Sequence, residues 1–237
     1  MSLVKIFSHS LILCLSLFFS IFSHPVFGED LKAQRELKAQ YEYSWQTPSD
    51  INEHLPLLRQ LASECSSVVE VGMREMVSSW GLLMGLSESP YENRSYLGFD
   101  LEYPPLKTLQ LAQKLAQRNG IAFHFSQKND MIVDVIEADL LFIDSLHTYC
   151  HLTYELEKFS STINKYIALH DTSEPWGDQD DTEYHGDYSE YPADINRTKR
   201  GLWLAVEDFL DRHPEWILEA RHVNNHGFTI LKRVSKE

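Results

Sequence analysis

The chain has 237 residues, 43% of them hydrophobic and 24% charged, a balance that suits one globular domain with a full core and excludes a disordered chain. Its 21 basic and 35 acidic residues leave a formal charge of −14, which repels phosphate backbones and anionic lipid and argues against nucleic acid as a partner. Its 3 cysteines are too few for a disulfide framework, and neither Cys65 nor Cys150 shows the spacing of a zinc site. Both read as small buried hydrophobes, with their pairing left open.

Residues 1–28 stand apart. Lys5 precedes an apolar run from Leu11 to Phe22, and Val26-Phe27-Gly28 occupies the cleavage positions before Glu29-Asp30. This is the pattern of a secretory signal peptide, with an apolar core shorter than the ~20 residues a spanning helix needs. The expected mature chain starts at or near Glu29 and is secreted or periplasmic. The alternative is an uncleaved anchor and membrane association through residues 1–28.

Two polar helical stretches follow, Leu31 to Tyr43 and Ser49 to Cys65, the second with Ile51, Leu55, Leu58 and Leu61 near helical spacing. Residues 29–65 therefore read as covering helices and 66–237 as the main domain. From residue 67 short apolar runs alternate with amphipathic segments, the mark of βαβ units and a mostly parallel sheet. Strands are expected at Ser67 to Val71, Ser95 to Phe99, Ile121 to Phe125, Asp139 to Ile143 and Tyr166 to Leu169. Leu109, Ala112, Leu115 and Ala116 form one helical face closed by Asn119-Gly120, and Leu152, Leu156, Phe159 and Ile163 form another. Thr172 to Arg200 has no such period and carries eight acidic residues with Tyr184, Tyr188 and Tyr191, as a lid or a solvated loop would. A helix from Gly201 to Arg212 precedes strands at Trp216 to His222 and Phe228 to Val234. The turn Val223-Asn224-Asn225-His226-Gly227 joins them as an antiparallel hairpin.

Chemistry gathers at the strand ends, where ligands bind in open α/β sheets. Ala138-Asp139-Leu140-Leu141-Phe142-Ile143 runs into Asp144-Ser145-Leu146-His147, and Tyr166-Ile167-Ala168-Leu169 runs into His170-Asp171-Thr172. Two neighbouring strands thus deliver two carboxylates and two imidazoles. Each group alone would read as a helix cap or a loop anchor. Val68-Val69-Glu70-Val71-Gly72, followed by Ser78-Ser79-Trp80, places an acid and a glycine before a helix start, which suits a nucleoside-containing cofactor or a plain turn. Leu97-Gly98-Phe99-Asp100 adds a second acid, placed to accept hydrogen bonds from ribose hydroxyls. Asn129 and Asp130, after the third strand, stand where an adenine would be met.

Together these motifs resemble the class I S-adenosylmethionine-dependent methyltransferases. The likeness is to the small-molecule O-methyltransferases of catechol O-methyltransferase type and to the cephalosporin hydroxylase and macrocin O-methyltransferase group, over roughly residues 50 to 234. The resemblance implies a Rossmann-like, seven-stranded, mostly parallel sheet with helices on both faces and a C-terminal antiparallel hairpin. Glu70, Gly72 and Ser78 match the first cofactor motif, Asp100 the ribose acid, and Asp144 and Asp171 the metal-binding acids, with His170 as a supplementary ligand. The catechol-type enzymes carry a lysine base three residues beyond the first metal acid, and His147 holds that place here. Arg74 and Met76 replace further glycines of the cofactor loop, and Thr172 replaces an asparagine ligand, a poorer oxygen donor for magnesium.

The implied activity is methyl transfer from S-adenosylmethionine to an oxygen of a small hydroxyl acceptor, assisted by a divalent ion such as magnesium, with a neutral His147 taking the proton. Export would separate the chain from the compartment where that cofactor is made. The alternatives are therefore a noncatalytic binding protein on the same scaffold, or a metal-dependent enzyme of another class using the Asp and His cluster.

Overall fold

Each run expected to be a strand downstream of residue 66 forms one. The computed structural model describes residues 27–134, 137–182 and 191–234. Most of the expected leader, with Tyr184 and Tyr188, lies outside the described residues. The strands are β1 (Ser67–Val71), β2 (Arg94–Asp100), β3 (Ile121–Gln127), β4 (Ala138–Ile143), β5 (Ile163–His170), β6 (Trp216–His222) and β7 (Phe228–Arg233). They form a seven-stranded sheet in the order β3-β2-β1-β4-β5-β7-β6, parallel from β1 to β5, with β7 antiparallel to β5 and to β6.

Helices α1 (Phe27–Gln46), α2 (Leu55–Ser63), α3 (Val77–Glu88), α4 (Leu106–Arg118), α5 (Tyr149–Phe159) and α6 (Leu202–Arg212) complete the fold. Successive strand residues point to opposite faces, so β4 divides its side chains between two cores. Leu140 and Phe142 join Leu55, Leu58, Trp80 and Leu115 in one, and Leu141 and Ile143 join Leu156, Phe159 and Phe209 in the other. Each of these buried side chains contributes roughly 1.5–3 kcal/mol. Helix α1 buries Ala33, Leu37 and Tyr41, which recur every fourth residue along one face. Cys65 and Cys150 are free and buried, in different clusters.

Two expected element boundaries are corrected. The stretch from Ser49 to Cys65 is not one helix, because the Ser49 hydroxyl accepts the Ile51 and Asn52 N–H groups at 3.3 and 3.0 Å in a local turn. Helix α2 starts only with Leu55 and Pro56, where a missing N–H has no consequence. Ile163 does not extend the face of α5 either. A 3₁₀ turn at Ser160–Thr162 ends that helix and Ile163 opens β5, paired with Ala138. The Asn119-Gly120 close holds, with Gly120 at φ 70°.

The strand order places the switch point at β1, flanked by β2 and β4. Pairing continues one residue past the strand, through Gly72 N–H to Phe99 O at 2.9 Å and Asp144 N–H to Val71 O at 2.8 Å. The ends of β1, β2 and β4 are thereby fixed side by side.

Candidate active site

A cavity of about 570 Å³ lies over these strand ends, lined by Gly72, Arg74, Asp100, Tyr103, Asn129 and Asp144 among others. That volume is in the range of small-molecule and cofactor sites. Gly72 sits at φ 84°, and a β-carbon there would come within 1.9 Å of the Asp144 carbonyl oxygen. Glycine is required at this position by the approach of the β4 end alone, before any ligand is considered.

Asp100 shapes the floor. Its Oδ2 accepts the N–H groups of Met73 and Arg74, each at 2.8 Å, and its Oδ1 accepts that of Glu102 at 3.0 Å. The carboxylate thus orders the loop after β1 and keeps lone-pair capacity on Oδ1. Met76 adopts the left-handed conformation a glycine would take, φ 64°, and its side chain is wholly buried in the core instead of occupying the cavity. Arg74, at φ 38°, lines the cavity and pairs with Asp50.

Glu70 and Ser78 do not line this cavity. Glu70 is fully buried, and its carboxylate receives the hydroxyls of Ser78 at 2.5 Å and Ser79 at 2.7 Å. Burial pushes its carboxyl up to about 8 against those hydrogen bonds. The pair ties β1 to α3 from behind.

Asp144, His147, His170 and Asp171 converge, as their positions after β4 and β5 require. Nε2 of His147 lies 2.8 Å from Asp171 Oδ2 and 4.0 Å from Asp144 Oδ1. Nδ1 of His170 lies 3.3 Å from Asp144 Oδ1 and 3.2 Å from Asp171 Oδ2. The other nitrogen of His170 faces two carbonyls, Asp50 O at 3.0 Å and Asn225 O at 3.1 Å, so it must carry a hydrogen. Nδ1 is then left facing two carboxylates, an arrangement that calls for a proton or a cation on it. Donor atoms of Asp144, His170 and Asp171 lie within 4.8 Å of one another, the spacing of a cation site. Asp171 takes φ 57°, a left-handed conformation that aspartate tolerates better than most residues.

Without a cation the four groups neutralise one another. Burial opposes charge on His147, yet the carboxylates of Asp144 and Asp171 raise its pKa to about 9. In this metal-free state the imidazole therefore keeps its proton at neutral pH. Burial likewise opposes charge on His170, and the same two carboxylates raise it well above the ordinary value. Against burial, the two imidazoles hold Asp144 and Asp171 below the usual carboxylate range. Thr172 is not among these ligands, since its hydroxyl meets Thr229 Oγ1 at 2.8 Å in a buried pair.

Asn129 caps the turn after β3 by accepting the Met131 N–H at 2.9 Å. Asp130 lines the cavity, but its Oδ2 lies 2.9 Å from His151 Nε2. Glu155, one turn along α5, is fully buried there, and burial followed by the charge of Asp130 pushes its carboxyl well above the ordinary value. Sequence reasoning passes over His151, Glu155 and Trp176. The His151 and Glu155 spacing of i and i+4 was the available signal. Trp176 stacks on His147, with ring centres 5.3 Å apart, and had no signal beyond its place after Asp171. The acidic insertion is partly structural. Asp180 Oδ1 accepts the N–H groups of Tyr149 and Gly201, both at 2.9 Å.

No family model matches the sequence, and none of the curated proteins does. Solved structures are similar in fold. A Corynebacterium glutamicum protein is 14% identical with a TM-score of 0.50, over 91% of this chain and 94% of its own. The O-methyltransferase from Bacillus cereus in complex with SAH is 11% identical with a TM-score of 0.49, over 90% and 94%. The SAH-bound Podospora anserina methyltransferase PaMTH1 is 13% identical with a TM-score of 0.46, over 90% and 91%. Among the described residues no helix is long and apolar enough to cross a membrane. With its strand order and C-terminal hairpin, the chain has the Rossmann-like methyltransferase fold.

Proposed function

We propose that the protein transfers a methyl group from S-adenosylmethionine to a hydroxyl oxygen of a small acceptor, with a divalent cation held by Asp144, His170 and Asp171. One observation carries the reading: the cavity over β1 and β2 ends on Asp144, so that the Asp and His cluster adjoins it. Gly72, Asp100 and Asn129 would bind the cofactor, with Asp100 Oδ1 toward the ribose. The cofactor brings a methyl group already activated on sulfur, and the cation, when bound, lowers the pKa of the acceptor hydroxyl. The chain's remaining tasks are alignment and proton removal.

His147 would accept that proton at Nε2, the nitrogen turned to Asp171. The ring must be neutral first. Were a cation held by Asp144 and Asp171, the ring would lose the two charges that hold its own proton. Trp176 covers one side of His147 and confines the acceptor to the other.

Binding without turnover is a second reading, supported by the self-neutralised cluster and by Arg74 paired with Asp50 inside the cofactor loop. Calorimetry with S-adenosylmethionine, with and without magnesium, followed by turnover on catechol, phenol and sugar acceptors, separates the two. Cofactor binding without product in any metal supports the second reading, and absence of cofactor binding eliminates the first.

A further inference from the structure

A second group of donors converges beside the cavity, apart from the Asp144 cluster. Asp130 stands in the turn after β3, while His151 and Glu155 share one face of α5. Nε2 of His151 lies 2.9 Å from Asp130 Oδ2 and 3.6 Å from Glu155 Oε1. The three side chains are 7%, 10% and 1% exposed for His151, Asp130 and Glu155. Nδ1 of the ring lies 2.7 Å from the Tyr191 hydroxyl, which fixes its orientation. Ser145 donates to Glu155 Oε1 at 2.8 Å.

Two oxygens are left over. Among the described residues no hydroxyl or N–H donates to Asp130 Oδ2 or Glu155 Oε2, both buried, and the two carboxyls lie within reach of each other. Asp130 Oδ2 is close to the imidazole nitrogen but does not lie where an N–H would reach it. Buried carboxylate oxygens without donors are strongly disfavoured unless a cation or a proton faces them. One nitrogen and two carboxylates within 4.8 Å form a donor set for zinc-like ions, with the outer nitrogen of the histidine held by a hydrogen bond.

We propose that Asp130, His151 and Glu155 bind a divalent transition-metal ion of zinc type, independently of the Asp144 cluster and of methyl transfer. The ion joins the turn after β3 to α5 and so holds the cavity wall formed by Asn129, Asp130 and Met131. Its role there is structural.

The test uses the full chain in detergent, stripped with chelator, and Co²⁺ as a visible probe. The Asp144→Asn/Asp171→Asn double variant removes the other cluster. This variant is expected to take up one equivalent of Co²⁺ with a visible absorption band displaced by Zn²⁺, and to melt at a higher temperature with Zn²⁺ than with chelator. Adding Glu155→Gln, which keeps the side-chain volume, or His151→Gln should weaken uptake at least tenfold and abolish the thermal shift. Circular dichroism in chelator establishes that each variant is folded, and Asp130→Asn stands in for one that is not. A folded double variant that binds no Co²⁺, or uptake indifferent to all three substitutions, overturns the proposal and leaves a proton shared between Asp130 and Glu155.

Discussion

Nε2 of His147 and Oδ2 of Asp171 lie 2.8 Å apart although they come from the loops after β4 and β5. The pair couples the expected base to an expected metal ligand. Proton and cation would therefore compete for the same carboxylates.

Asp144→Asn and Asp171→Asn are expected to abolish metal binding at their own cluster, and turnover with it, while leaving the cofactor bound, because Gly72 and Asp100 follow other strands. His147→Ala should keep metal and cofactor and lose on the order of 10²- to 10⁴-fold in rate. Turnover with each variant, and of the parent in chelator, decides. Full activity in chelator removes the metal role, and a His147→Ala enzyme as fast as the parent removes the base.

The metal-free protein should lose stability as pH rises. The folded pKa of His147 is raised from 6.5 to about 9, so its contribution is complete below 6.5 and is lost through 9. Glu70 acts with the same sign over a lower window, from 4.5 to about 8, because the unfolded carboxyl ionises while the buried one does not. Asp144 and Asp171 have the opposite dependence and lose their contribution as pH falls below the ordinary carboxylate range. Melting temperatures in chelator across this range check the slope. His147→Gln should flatten its upper part and Glu70→Gln its lower part. Imidazole NMR should find the His147 titration moved to lower pH by added cation.

Asp100→Ala is expected to weaken S-adenosylmethionine binding by ~1.5–3 kcal/mol, the worth of hydrogen bonds to a charged group. It also frees the Met73 and Arg74 N–H groups, so calorimetry should be paired with a melting curve. Gly72→Ala should instead destabilise the fold by about 1–3 kcal/mol or more, since its β-carbon meets the Asp144 carbonyl. An unchanged melting temperature for Gly72→Ala would contradict that clash, and unchanged affinity in Asp100→Ala would put the cofactor elsewhere.

Cleavage near Glu29 predicts a mature amino terminus at or close to that residue. Helix α1 begins at Phe27, so the cut would trim its first turn. Amino-terminal sequencing of the protein from its native source checks this. An intact Met1 on membrane-bound protein would replace secretion with anchoring.

The sequence by itself determined the elements and their succession, because strand and helix periods are local properties of side-chain spacing. It also determined that Asp144, His147, His170 and Asp171 follow two buried strands. Which atoms then meet was decided by tertiary structure. Glu70 closes on Ser78 and Ser79, Met76 turns into the core, and Asp130 meets His151 and Glu155 from another element. Such partners depend on strand order and on how each helix is rotated against the sheet. Residues far apart in the chain set both, so no local spacing encodes them.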